Sequence, residues 1–227
     1  MAHDGVVDPS ARIDYSSDHL PDALTSGTPL EAVSTWYLEA SEDERVKEPG
    51  AMVVATVDEL GMPDARTVLL KHLDARGLVF FTCTTSAKGR ELAARPVASV
   101  VLLWHPMHRQ VRARGEVERV SEDETLAYFR SRPRGSQVAA WASAQSEPLA
   151  SRADLEAAVA DVERRFEGVE ELPLPDFWGG YRVRPRAVEL WAGQRSRLHD
   201  RWLWTAADDQ PALLDDPTRW TGTRLQP

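Results

Sequence analysis

Between Ala51 and Val120 one β-rich run follows another with little chain between them, and this succession restricts the fold more than any other feature. The stretch "AMVVATVDELGMPDARTVLLKHLDARGLVFFTCTT" places apolar and β-branched runs around "DELGMPD" and "DARG", both turn compositions, and predicts three antiparallel strands. "SAKGRELAARP" predicts a short helix capped by Ser86 and stopped near Pro96, and "VASVVLLWHP" and "RQVRARGEVERV" predict two further strands. With successive hairpins, few helices and no regular strand-helix-strand alternation, the expected class is α+β, an antiparallel barrel with appended helices rather than a doubly wound sheet.

The flanks supply the helices. Thr28 and Pro29 stand at N-cap and N1 positions before Leu30, Val33, Tyr37 and Leu38, which recur at helical spacing. Ser121 and Ser151 open two more helices, each with acids in the first turn, the second stopping at Gly168. "YRVRPRAVELWAG" and "RLHDRWLWTA" return to strands before the chain closes on "RWTGTRLQP". Residues 1–27 are rich in Asp, Ser and Gly, so this segment is expected to be mobile or to dock late, with 28–227 forming a single domain. No internal repeat occurs.

A formal charge of −9 disfavours nucleic acid and anionic membrane surfaces as partners. The single cysteine, Cys83, rules out an internal disulfide and speaks against a cysteine-built zinc site, which fits a reducing compartment. With no apolar leader and no run near the roughly 20 apolar residues that span a bilayer, the expected location is the cytoplasm.

Against that acidic background, "YFRSRPRGSQVAAWASAQS" (128–146) sets three arginines within five positions beside several hydroxyls and contains no acid. If the preceding helix ends just before Pro133, Tyr128 and Arg132 share one face at i, i+4, with Ser136 in the following turn, and phenol, guanidinium and hydroxyl converge on one phosphate. The arginines equally suit a charged helix C-terminus. No G-x-G-x-x-G, P-loop, G-x-S-x-G or H-E-x-x-H pattern occurs, so Rossmann nucleotide, hydrolase and metalloprotease readings lose their usual support.

Other basic segments are separated along the chain. In "ARTVLLKHLD", Arg66 and Lys71 lie on opposite strand faces unless the strand ends between them. Lys88 sits at a helix N-terminus, where free N–H groups favour phosphate; a solvated lysine beside an ordinary cap is the alternative. Gln110 faces away from its strand neighbours Arg109 and Val111. In "WAGQRSRLHDRW", an extended backbone projects Arg195, Arg197, His199 and Arg201 together, either toward an anion or ring or into solvent with Asp200 as counter-ion.

Taken together, "ARTVLLKHLD", "TSAKGREL", "RQVRARG", "YFRSRPRGSQVAAWASAQS", "FWGGYRVRPRAVELWAG", "RLHDR" and "RLQP" resemble the pyridoxamine 5'-phosphate oxidase family over about residues 30–227. The resemblance implies an FMN-binding split barrel that forms a homodimer with its sites at the interface. It implies oxidation of pyridoxamine or pyridoxine 5'-phosphate to pyridoxal 5'-phosphate, with O2 reduced to H2O2. By carry-over, FMN is held by Arg66, Thr67, Val68, Leu69, Leu70 and Lys71, by Phe81, Thr82 and Lys88, and by Gln110, Gln145, Ser146, Trp191 and Arg201. The substrate phosphate falls to Lys71, Tyr128, Arg132 and Ser136. Arg197 and His199 lie at the pyridine ring as the catalytic pair, and Arg12 with Tyr15 forms an N-terminal cover. Ala87, Phe81 and Cys83 depart from the arginine, tyrosine and asparagine common in the family, and "SAKGREL" is also similar to phenazine-pathway flavin oxidases of the same fold. A related oxidase of another aromatic or amine metabolite, and a non-catalytic flavin or pyridoxal phosphate carrier, are the competing expectations.

Overall fold

The computed structural model describes residues 14, 15 and 17–227. Its helices are α1 (Asp22–Ser26), α2 (Pro29–Glu42), α3 (Ala87–Ala94), α4 (Glu122–Ser131), α5 (Arg134–Ala142) and α6 (Arg152–Arg165). Its strands are β1 (Ala51–Val57), β2 (Pro63–Leu69), β3 (His72–Asp74), β4 (Gly77–Cys83), β5 (Val97–Trp104), β6 (Arg109–Arg119), β7 (Trp178–Ala192), β8 (Asp200–Ala206) and β9 (Trp220–Leu225). All pairings are antiparallel, in the order β2-β1-β5-β6-β7-β4-β3, with β8 on β7 and β9 on β8. This is the α+β antiparallel split barrel expected from the sequence.

The split comes from β7. One edge of this 15-residue strand pairs with β6 over Tyr181–Ala192; the other pairs with β4 over Trp178–Val183 and with β8 over Ala187–Ala192. A bulge between Arg114 and Gly115 bends the β6–β7 ladder, and a Cβ at Gly115 would stand 1.9 Å from the Arg184 carbonyl oxygen, so only glycine fits.

Alternation along β1, β5, β6 and β7 turns Met52, Val54, Val100, Leu102, Val111, Ala113, Val188 and Leu190 into the main core. Trp36 of α2 and Trp104 close it at 2% and 1% exposure. Side chains buried this fully stabilise by about 1.5–3 kcal/mol each. A second core of Phe129, Val138, Phe166, Leu172 and Trp178 joins α4, α5 and α6 to the start of β7.

Local chemistry sets the helix starts. Thr28–Glu31 and Ser121–Glu124 form reciprocal capping boxes, and Ser86 and Ser151 accept from the N3 amides of α3 and α6. Three features differ from the sequence reading. The region 51–83 holds four strands because the chain pairs once more at His72–Asp74. "RGSQVAAWA" is a helix, α5, preceded by Pro133 in extended backbone, so Ser136 lies in a helical first turn. Within 1–27, Leu20 is 5% exposed and belongs to the main core, and α1 packs beside α2. Among the described residues no helix is long and apolar enough to cross a membrane.

Candidate active site

The β4–α3 junction builds the first half of a cavity of about 400 Å³. A Cβ on Gly89 would meet the Thr84 carbonyl oxygen at 2.1 Å, so glycine lets the first turn of α3 close on the end of β4. This buries Lys88 at 6% exposure. Its ammonium donates to Gln145 Oε1 at 2.9 Å, Thr82 Oγ1 at 3.2 Å and Ser86 Oγ at 3.4 Å, all neutral acceptors. Burial, followed by the nearby Arg66 cation, lowers the Lys88 pKa below the ordinary lysine range. A buried ammonium facing a cavity with neutral partners is a seat for an anion.

Thr67, Val68 and Leu69 of β2, with Phe81 and Thr82 of β4, continue the wall. Arg66 turns aside, to Thr56, Asp64 and Glu91, the last at 3.0 Å, and does not line the cavity. Leu70 is 6% exposed and packs in the main core. Gln145 follows α5 and reaches Thr82 and Lys88, whereas Ser146, in left-handed backbone at φ 74°, is exposed.

The other half comes from the α4–α5 corner. Tyr128 and Arg132 line the same cavity with Lys71, as the i, i+4 relation predicted, and Ser136 lies outside its wall. Arg132 caps α4; its carbonyl accepts from Gln137 Nε2 at 2.8 Å, and its guanidinium lies 4.8 Å from the Trp178 ring centroid. Burial lowers its pKa, opposed by Tyr128, and its buried Nη1 has no hydrogen-bond partner. The cavity lining therefore carries two cationic seats, Lys88 from the β4–α3 junction and Arg132 from the α4–α5 corner, together with the Phe81 and Tyr128 rings.

None of Gln110, Trp191, Arg197, His199 or Arg201 lines this cavity. Gln110, Trp191 and Arg201 are register neighbours across β6, β7 and β8, forming one row on the sheet face opposite the main core. Beside them Glu189, 4% exposed at its side chain, accepts from Arg201 Nε at 2.8 Å and pairs with Arg112. Burial raises the Glu189 pKa, but the Arg201 and Arg112 hydrogen bonds outweigh it and the net shift is downward.

The segment before β8 corrects the extended reading. Arg195–Arg197 is a single 3-10 turn with Ser196 at φ 55° and Arg197 at φ 62°, and the strand begins only at Asp200. Period-2 alignment of Arg195, Arg197, His199 and Arg201 therefore fails. His199 Nδ1 accepts the Gln194 N–H at 3.0 Å, so the neutral ring carries its proton on Nε2, and its pKa is lowered by burial and then by Arg197. Its ring lies 4.6 Å from Trp191 and 5.9 Å from Tyr15. Residues 17–20 form a strap along this loop. Ser17 Oγ donates to the Gly193 carbonyl at 2.8 Å, and Asp200 Oδ2 accepts from His19 Nδ1 at 2.7 Å and the Leu20 N–H at 3.2 Å. Asp200 Oδ1 accepts from Arg224 of β9 at 2.8 Å. Arg12 lies outside the described residues.

Sequence reasoning overlooked Trp178, Ala139, Ala140 and Ser143 as cavity walls. Only the aromatic in "FWGG" was a usable signal, since the others sit on or cap the unrecognised α5. Among the described residues no group of acids, histidines and cysteine could hold a metal ion.

Comparison with known proteins places this geometry. The family described as "Pyridoxamine 5'-phosphate oxidase" matches residues 38–166, and "Pyridoxine 5'-phosphate oxidase C-terminal dimerisation region" matches 178–227. Proteins called pyridoxine/pyridoxamine 5'-phosphate oxidase from Thermosynechococcus vestitus and Rubrobacter xylanophilus are 47% and 46% identical over 216 residues. Each alignment covers 95% of this chain, with 97% and 94% of the respective relative. PhzG from Burkholderia lata 383, solved in complex with tetrahydrophenazine-1-carboxylic acid, superposes with a TM-score of 0.81 at 31% identity, over 93% of this chain and 100% of that one.

Proposed function

Because the chain belongs to the pyridoxamine 5'-phosphate oxidase family, we propose that it is an FMN-dependent oxidase converting pyridoxamine or pyridoxine 5'-phosphate to pyridoxal 5'-phosphate. The observation that carries this reading is the pair of cationic seats in one cavity: Lys88 buried among neutral acceptors, and Arg132 with a buried, unpartnered Nη1. Two phosphorylated ring compounds fit them. Lys88, Thr82 and Gln145 suit the FMN phosphate; Lys71, Tyr128 and Arg132 suit the substrate phosphate.

Of the predicted residues outside the cavity, Gln110, Trp191 and Arg201 lie on the opposite sheet face, with His199 against Trp191 and Arg197 in the adjoining turn, within or next to the region matching a dimerisation segment. In this reading two copies pair so that each presents that face to its partner's cavity. Arg197 then steadies the pyridine ring, and His199, neutral with its proton on Nε2, donates a hydrogen bond from that atom. Bound FMN supplies the two-electron acceptor and its reoxidation by O2. For the amine, water enters and ammonia leaves with H2O2; for the alcohol, H2O2 is the only by-product.

A second reading, oxidation of a phenazine-type or other aromatic metabolite, draws support from the PhzG superposition and from Ala87 in "SAKGREL". Peroxide formation by the purified protein separates the two. Turnover of the B6 phosphates over unphosphorylated pyridoxine and a reduced phenazine carboxylate is expected, and no turnover of the B6 phosphates rejects the proposal. A carrier would leave its flavin oxidised on anaerobic mixing with pyridoxamine 5'-phosphate.

A further inference from the structure

We propose that Trp178 is a positioning residue for the anion seat, holding the Arg132 guanidinium by its ring face so that one edge stays free for a phosphate. The inference rests on the phosphorylated-pyridine reading and adds to it a residue acting through Arg132.

Three rings form a near-parallel stack against the second core. Phe81 and Tyr128 lie 4.1 Å apart at 22°, Phe81 and Trp178 5.5 Å apart at 11°, and Tyr128 and Trp178 6.0 Å apart at 11°. Phe129 meets Trp178 edge-on at 5.3 Å, fixing the indole from a second direction. Trp178 is 7% exposed and starts β7 opposite Cys83, so its placement follows from the sheet.

Arg132 cannot stay in place by ion pairing. Among the described residues no carboxylate lies within salt-bridge distance of it; its surroundings are the Trp178 and Phe129 rings and Tyr128. A desolvated guanidinium over an indole face gains from the ring quadrupole what it lacks from an anion, and indole is the best aromatic partner. Meanwhile Gln137, 8% exposed, clamps the Arg132 carbonyl. Backbone and guanidinium are thus fixed separately, while Nη1 remains buried and unpartnered. Planar donors left free in this way suit a tetrahedral oxyanion.

The test uses FMN-loaded protein carrying Trp178→Leu or Trp178→Phe, titrated with pyridoxal 5'-phosphate and with pyridoxal through the flavin absorbance change. Loss of the ring face in Trp178→Leu weakens pyridoxal 5'-phosphate by about tenfold, and Trp178→Phe, with a weaker face, by about threefold. Pyridoxal is unaffected, and in turnover the loss falls on KM rather than kcat. Equal weakening of both ligands, a wild-type-like Leu variant, or a Phe variant as impaired as Leu would overturn the inference. If Trp178→Leu fails to fold, the Phe variant decides alone, since unchanged pyridoxal 5'-phosphate affinity contradicts a ring-face role. Absence of peroxide from wild-type protein with B6 phosphates would instead defeat the functional reading, and the ligand ratio would still report on Trp178.

Discussion

Replacing Lys88 with Met separates two effects that this residue combines. In the free protein Lys88 is 6% exposed and its ammonium bonds only to Thr82, Ser86 and Gln145. Methionine keeps much of the side-chain length, and Gln145 Oε1 retains the Thr82 hydroxyl as a donor at 2.8 Å, so the change leaves no abandoned acceptor there. The flavin phosphate, by contrast, loses a charge-assisted contact worth about 1.5–3 kcal/mol, or about 10- to 150-fold in the FMN dissociation constant. Riboflavin has the same ring without the phosphate, so quenching of flavin fluorescence on titration of apo protein should show FMN weakened and riboflavin unchanged. The folded pKa of Lys88 lies below its unfolded value, so between the two the unfolded chain binds more protons. Apo stability therefore rises with pH from the point where the folded-state lysine begins to deprotonate and levels off once the unfolded lysine has titrated, and this increment vanishes in the Met variant. Parallel weakening of FMN and riboflavin, or FMN binding as tight as in the wild type, would refute an anion seat at Lys88.

Two further expectations concern residues outside the cavity. Arg197→Ala should lower kcat/KM by about tenfold or more while FMN retention holds, and flavin loss matching that of a Lys88 variant would contradict the division of roles. Glu189→Gln strands Arg112 and Arg201; because Arg112 is half-exposed the cost should be about 1–3 kcal/mol, below that of a fully enclosed pair, read by chemical denaturation. Glu189 is held below the ordinary carboxylate range, so its contribution is present above that range and lost as pH falls through its folded pKa. Wild type should accordingly lose stability on acidification more steeply than the variant, and identical slopes would count against it.

What the sequence disclosed follows the range of the forces involved. Helix starts at Thr28, Ser86, Ser121 and Ser151 were legible because a cap and its N3 partner lie within four residues. Helix α5 was hidden: Pro133 reads as a break, and the helix is stabilised by Val138 and Trp141 packing on distant parts of the second core. The turn at 195–197 was also hidden, since Ser196 and Arg197 adopt positive φ without the glycine that usually announces it. Tyr128 with Arg132 could be paired from helical spacing. That Arg66 turns to Glu91, and that Gln110, Trp191 and Arg201 share a row apart from the cavity, depends on register between strands far apart in sequence.

Asp200 gathers His19 and Leu20 from near the start of the chain and Arg224 from its last strand. A chain emerging from the ribosome exposes its early residues long before β8 and β9 exist, so the strap waits without a partner until the 193–200 segment is made. The strap therefore docks only once β8 has formed. Cleavage or fusion at the C-terminal end should consequently register at residues 17–20, on the far end of the sequence, as loss of amide-exchange protection.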